Sequence, residues 1–248
     1  SAEGADRIYD RIAEQLEQPE YRPRALFERF KIEAIATTEG ALDDLKWHDM
    51  TRESGWGGKV VTAYRPDSVV DPEFEGFKDN LAQFGELTGE DVTSWTGYLA
   101  AHRARRAYFK QRGATSSDHG HATARTANLS QAECEKLFAK ILKGKFSAED
   151  ADLFRGQMLT EMAKMSLDDG FVLQIHPGSV RNHNPMLFET FGRDMGSDIP
   201  RSVDYVSALK PLTGERAEVQ AYVSDDPAFA EFFAKLTDLL GTLLPRYG

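Results

Sequence analysis

The chain has 248 residues, 41% of them hydrophobic and 28% charged, enough apolar material for a core and an argument against disorder. Its formal charge of −10 at pH 7 disfavours a nucleic-acid backbone or an anionic membrane as the main partner, since both attract basic surfaces. An anionic small molecule stays open, because its site needs only one or two local arginines.

In chain order, Ile8 to Leu16 repeats apolar residues at three- and four-residue spacing and predicts an amphipathic helix ended near Pro19. A short helix over Arg24 to Phe30 leads into a strand, Lys31 to Thr38. The unit then recurs: a helix from Leu42 to Ser54, a turn at Gly55 to Gly58, and a strand from Lys59 to Arg65 stopped by Pro66. Phe74 to Leu87 and Trp95 to Arg112 carry helical periodicity, and Gly113 ends the second. Gly113 to His121, GATSSDHGH, follows with no helix-forming run around it and reads as the mouth of a third strand. A helix with a serine cap begins at Asn128-Leu-Ser-Gln, and another runs from Ala148 to Ser166. Asp168-Asp-Gly170 then turns into the strand Phe171 to His176. Thr213 to Ser224 holds a short strand pattern, and Pro227 to Leu244 is an amphipathic helix without catalytic residue types. Four helix-then-strand units imply a parallel sheet with right-handed crossovers, and so an α/β fold.

Cys134 has no second thiol to pair with, and it reads as structural in a cytoplasmic protein. No apolar run approaches the roughly 20 residues of a membrane span, and Ser1 to Asp6 lacks the basic-then-apolar pattern of a signal peptide. Trp47, Trp56 and Trp95 read as packing residues. The basic run His102-Arg-Ala-Arg-Arg106 reads as a solvated helix face.

Each predicted strand ends in a polar or reactive group: Thr37-Thr38-Glu39, Arg65, Asp118-His119 and His176. In parallel sheets ligands bind at the carboxyl ends of strands, so these endings are expected to gather at one point. Arg65 is a carboxylate fork, or else the partner of Asp67. Asp118, His119 and His121 suit either metal ligation or proton transfer, and they also suit a cap holding the loop. His176 precedes Pro177-Gly178 and a donor-rich run, Gly178 to Asn184, in which Arg181 is an anion binder.

FKIEAIATTEGALDDL, VVTAYRPDSVVDP, GATSSDHGH and QIHPGSVRNHN resemble uronate (glucuronate) isomerase of the amidohydrolase superfamily, in order, from about Tyr21 to Leu212. The resemblance implies a distorted (β/α)8 TIM barrel and interconversion of D-glucuronate with D-fructuronate, or of D-galacturonate with D-tagaturonate. That reaction is aldose to ketose isomerisation by proton transfer. Carried over, Arg65 looks like the substrate-binding arginine, Asp118 like the fifth-strand acid, and His176 like the sixth-strand histidine facing the substrate. The family's His-x-His pair on the first strand and its late aspartate have no counterpart here. His119-Gly-His121 has that spacing but takes the fifth-strand position, which leaves His119 a metal candidate. The resemblance therefore implies a central piece of about strands three to six over 1–212, with 213–248 unmatched. A divalent metal such as zinc is implied for the full-length parent and none firmly for this chain. Its partner is a small sugar acid, and open sheet edges imply a homo-oligomer. Alone, the piece is expected to be inactive. Two alternatives are a metal-dependent hydrolase of the same superfamily, with His119 and His176 as paired ligands, and a noncatalytic sugar-acid binding module.

Overall fold

The computed structural model describes residues 4–195 and 197–213. The strand pattern from Thr213 to Ser224 and the helix from Pro227 to Leu244 fall almost entirely outside them. Four strands form one sheet, β1 (Ala34–Gly40), β2 (Lys59–Arg65), β3 (Ser116–His119) and β4 (Val172–Ile175), in the order β1-β2-β3-β4 with every neighbour parallel. A sequential, never-reversing order with right-handed crossovers puts all connecting helices on one face. That is the progression of a barrel wall, whereas a doubly wound sheet reverses its order partway.

The helices before and between the strands are α1 (Ala5–Glu17), α2 (Pro23–Arg29), α3 (Lys46–Glu53), α4 (Asp67–Val70), α5 (Phe77–Thr88), α6 (Trp95–Gln111), α7 (Gln131–Leu142) and α8 (Ala148–Asp169). After β4 the chain makes an excursion: β5 (Ser179–Val180) pairs antiparallel with β6 (Ile199–Pro200), with α9 (Pro185–Phe191) between them and α10 (Tyr205–Thr213) following. Local chemistry explains the main boundaries. The Ser130 side chain accepts from the Glu133 N–H while Glu133 reaches back, and Ser147 with Asp150 does the same for α8. Gly170, at φ 76°, closes α8 in the left-handed conformation that costs glycine least. The expected first strand begins at Ala34 rather than Lys31, because Lys31 takes a left-handed φ of 53° and ends the preceding turn.

The core lies between the sheet and its helical cover. Tyr98 stacks on Phe138 at 4.7 Å, Phe138 on Phe154 at 5.9 Å, and Trp95 closes the cluster edge-on at 5.7 Å from Phe138. Burying each such ring stabilises the fold by about 2–3 kcal/mol.

Two sequence expectations fail here. The run His102–Arg106 is not a solvated face: His102, Arg105 and Arg106 are all buried, and Arg103 and Ala104 stay exposed. α6 lies between β2 and the helices α5, α7 and α8, so most of its circumference is covered. Its buried cations are satisfied in place. Arg106 grips Asp169 through Nε at 2.6 Å and Nη2 at 2.9 Å and adds Ser166, while Arg105 donates to the carbonyls of Ala41 and Asp43. The second failure is Trp47, which is 65% exposed with Lys46 over its ring; Trp95 is buried, and Trp56 packs edge-on against Phe27.

Candidate functional site

Side chains alternate across a sheet, and the register decides which residues share a face. Tyr64 of β2 sits opposite Ser117 of β3, and its hydroxyl meets His102 Nδ1 on α6 at 2.8 Å, so Tyr64, Ser117 and His119 face the helices. Arg65 and Asp118 are each one residue out of phase with that set and face the other way. Asp118 lies opposite Gln174, and His176 continues that row just past β4.

Three of the sequence-predicted residues therefore converge. His176 Nε2 lies 3.1 Å from Asp118 Oδ1 and 3.2 Å from Oδ2, and Arg65 Nη1 lies 3.7 Å from Asp118 Oδ2. Arg65 also donates from Nε to Asp67 Oδ2 at 2.8 Å, the local ion pair that the sequence offered as the alternative. Burial works against the Arg65 charge, but its hydrogen bond to Asp67 and the charges of Asp67, Asp118 and Asp194 outweigh it and hold the guanidinium more firmly protonated than usual. Its side chain keeps 36% of its surface in solvent, which leaves it reachable by a ligand.

Gly120 explains how the arginine fits. A Cβ there would lie 2.2 Å from Arg65 Nη2 and 2.7 Å from Asp67 Oδ2, and the Gly120 N–H itself donates to Asp67 at 3.1 Å. Only glycine lets the backbone approach this closely.

Arg65 opens into a cleft of about 650 Å³ lined also by Asp67, Asp71, His121, Arg181, Arg193 and Asp194; Asp118, in contact with Arg65, and His176 are not among its lining residues. The excursion after β4 builds one wall. Arg181 reaches this wall as expected, though its Nη1 is paired with Asp198 at 2.7 Å. The sequence pattern does not single out Arg193, whose guanidinium lies 4.9 Å from the centre of the Phe74 ring; no strand or motif announces it, because a loop folded back over the rim brings it there. Three arginines line the cleft together with three aspartates, Asp67, Asp71 and Asp194, so a guanidinium there can meet a carboxylate ligand but the lining as a whole carries no excess of formal charge.

His119 goes elsewhere. It is 1% exposed on the helix-facing side, with Nε2 at 3.1 Å from Ser117 Oγ, and it groups with His121 and Asp67 rather than with His176. The paired His119–His176 ligands of a hydrolase thus lack a common face. Residues 119–121 are the one His-x-His in this sequence. Among the described residues, the donors that fit a metal by their own chemistry are Asp67, His119 and His121.

A family model described as glucuronate isomerase matches residues 1–221. A uronate isomerase of Mesorhizobium japonicum is 67% identical over 208 residues, 84% of this chain and 44% of the relative. One of Phenylobacterium zucineum is 60% identical over 241 residues, 95% of this chain and 50% of the relative. The crystal structure of glucuronate isomerase from Caulobacter crescentus superposes with a TM-score of 0.82 at 52% identity, over 91% of this chain and 50% of that one. That of uronate isomerase from Thermotoga maritima gives 0.78 at 26% identity, over 87% and 48%. The chain spans about half the length of the curated relatives it matches.

Proposed function

The chain belongs to the glucuronate isomerase family, and from that premise we propose that its strand-end cleft is one part of a uronate isomerase site, the remainder being contributed by sequence the relatives have and this chain does not. The substrate is a small sugar acid such as D-glucuronate or D-galacturonate, and the reaction is aldose to ketose isomerisation. The observation that carries the reading is the meeting of Arg65, Asp118 and His176 on one face of the sheet.

Each residue type has work to do there. Arg65 holds the substrate carboxylate through its guanidinium, and Asp67 fixes the arginine by holding Nε. Arg181, on the facing wall, adds positive charge. Moving a hydrogen between C2 and C1 requires a base to take a proton from carbon and groups to relay hydroxyl protons. Asp118 and His176, hydrogen-bonded to each other, form such a pair: the carboxylate sets the orientation of the imidazole, and either group exchanges a proton with a hydroxyl beside it. Such transfers need donors and acceptors within about 3 Å of the reacting atoms. Half a barrel does not enclose a substrate, so this chain alone binds sugar acid weakly and does not turn it over.

Titration of the purified chain with D-glucuronate, followed by NMR, tests this. Wild type is expected to bind weakly and Arg65→Ala to lose binding. Binding that ignores Arg65, or isomerisation by the isolated chain, contradicts the proposal. The open edges of β1 and β4 also favour self-association, which sedimentation analysis measures.

A further inference from the structure

Two buried histidines at the end of β3 lack partners that their ring nitrogens ought to have. His121 is 6% exposed, and neither Nδ1 nor Nε2 makes a hydrogen bond; His119 Nδ1 is likewise buried and unpaired. A buried polar atom without a partner loses its hydration and receives nothing in exchange, about 1–3 kcal/mol each. Two such rings, 5.6 Å apart between centres, stand side by side. Asp67 faces them, with Oδ1 at 4.0 Å from His121 Nε2, and one ligand atom from each of the three residues falls within 4.8 Å of the others.

We propose that Asp67, His119 and His121 form a site for a divalent first-row transition metal of the zinc class. Two imidazoles and a carboxylate are the donor set such ions take, leaving a fourth position for water or a ligand. The Asp67 carboxylate divides between two tasks: Oδ2 accepts from Arg65, and Oδ1 faces the histidines. Ser117 Oγ holds His119 Nε2 and so presents Nδ1, the orienting contact that ligating histidines usually have. Burial, reinforced by the charge of His121, pushes His119 well below the usual histidine range, and burial also lowers His121, against the pull of Asp67 and Asp71. Both rings are therefore neutral near pH 7, with lone pairs to offer. Asp71 and Asp152 nearby favour a cation, while Arg155 is already neutralised by Asp71 and Glu73.

This site does not use Asp118 or His176, which lie on the opposite face of β3. It joins the sugar-acid cleft only through Asp67 and His121, so a bound ion would steady Asp67 and, through it, Arg65. Nothing in it depends on the sugar-acid reading.

Equilibrium dialysis of the purified chain against zinc, in the absence of any sugar acid and with metal counted by mass spectrometry, is expected to find one ion per chain. Cobalt in its place should give visible absorption of a four-coordinate nitrogen and oxygen site. His121→Gln and Asp67→Asn are each expected to weaken zinc binding at least about tenfold, because even the loss of an outer partner costs that much. His176→Asn is expected to leave it unchanged, and circular dichroism confirms that each variant is folded. No bound ion in wild type, full affinity in both His121→Gln and Asp67→Asn, or loss in His176→Asn overturns the proposal. Failure of glucuronate to bind leaves it untouched.

Discussion

α1 is amphipathic and α8 carries apolar residues around most of its circumference, and the two helices meet opposite fates. α8 buries Phe154, Met158, Met162 and nine other residues between the sheet and its neighbours. α1 buries none, and its apolar stripe of Ile8, Tyr9, Ile12 and Leu16 remains more than half exposed. An apolar stripe left in water stabilises nothing; it marks a surface that something else covers. β1 repeats the lesson, since Ala34, Ile35 and Ala36 are exposed along a strand edge that is unpaired among the described residues, whereas β3 is buried at every residue. Among the described residues, one side of the molecule is a finished interior and the other an exposed face.

Three experiments probe that contrast. The largest effect is expected in the finished interior: Phe154→Ala should cost about 3–5 kcal/mol in urea unfolding, through lost burial and a cavity among stacked rings. A loss below 1 kcal/mol would mean that this region is no better packed than the open side. The second concerns buried histidine. Burial, with Arg106 and Arg103 adding to it, pulls His102 down to about 3 from 6.5. The folded state thus keeps His102 neutral while the unfolded chain protonates it below about pH 6.5. Its contribution is complete above that pH and is lost as pH falls toward 3. Between pH 7.5 and 5 this amounts to about 2 kcal/mol, a pH and a half at about 1.4 kcal/mol per unit. His119 and His121 act in the same direction. Urea midpoints at both pH values should show a smaller drop in His102→Gln than in wild type; equal drops would place the sensitivity elsewhere. The smallest effect is expected on the open side, where Ile12→Ser should change stability by no more than about 0.5 kcal/mol. The same substitution should reduce any self-association seen by sedimentation. A large loss of stability would show that α1 packs within this chain.

Cys134 belongs to the finished side. Burial pushes its thiol up to about 11, so it is a poor nucleophile, in keeping with the structural reading of a lone cysteine.

The residues alone were enough for the parallel α/β order and for the strand endings Arg65, Asp118 and His176, because hydrophobic period, proline and glycine stops and capping serines are local and survive in a one-dimensional reading. They misled where coverage is decided at a distance. His102-Arg-Ala-Arg-Arg106 is polar enough to read as solvated, yet Asp169, 63 positions away from Arg106, supplies the acceptors that let it be buried. Trp47 is apolar enough to read as packed, but it stays 65% exposed, with Lys46 over its ring.

The site divides along the same line. Sequence determined which side chains end the strands, since a strand's last residues are fixed by where its pattern stops. Only the tertiary structure decided which face each one takes. A register shift of one residue turns a side chain to the opposite side of the sheet. Register, set by packing between strands and helices far apart in the chain, thus sends Asp118 to Arg65 and His176, and His119, its neighbour, to Asp67 and His121.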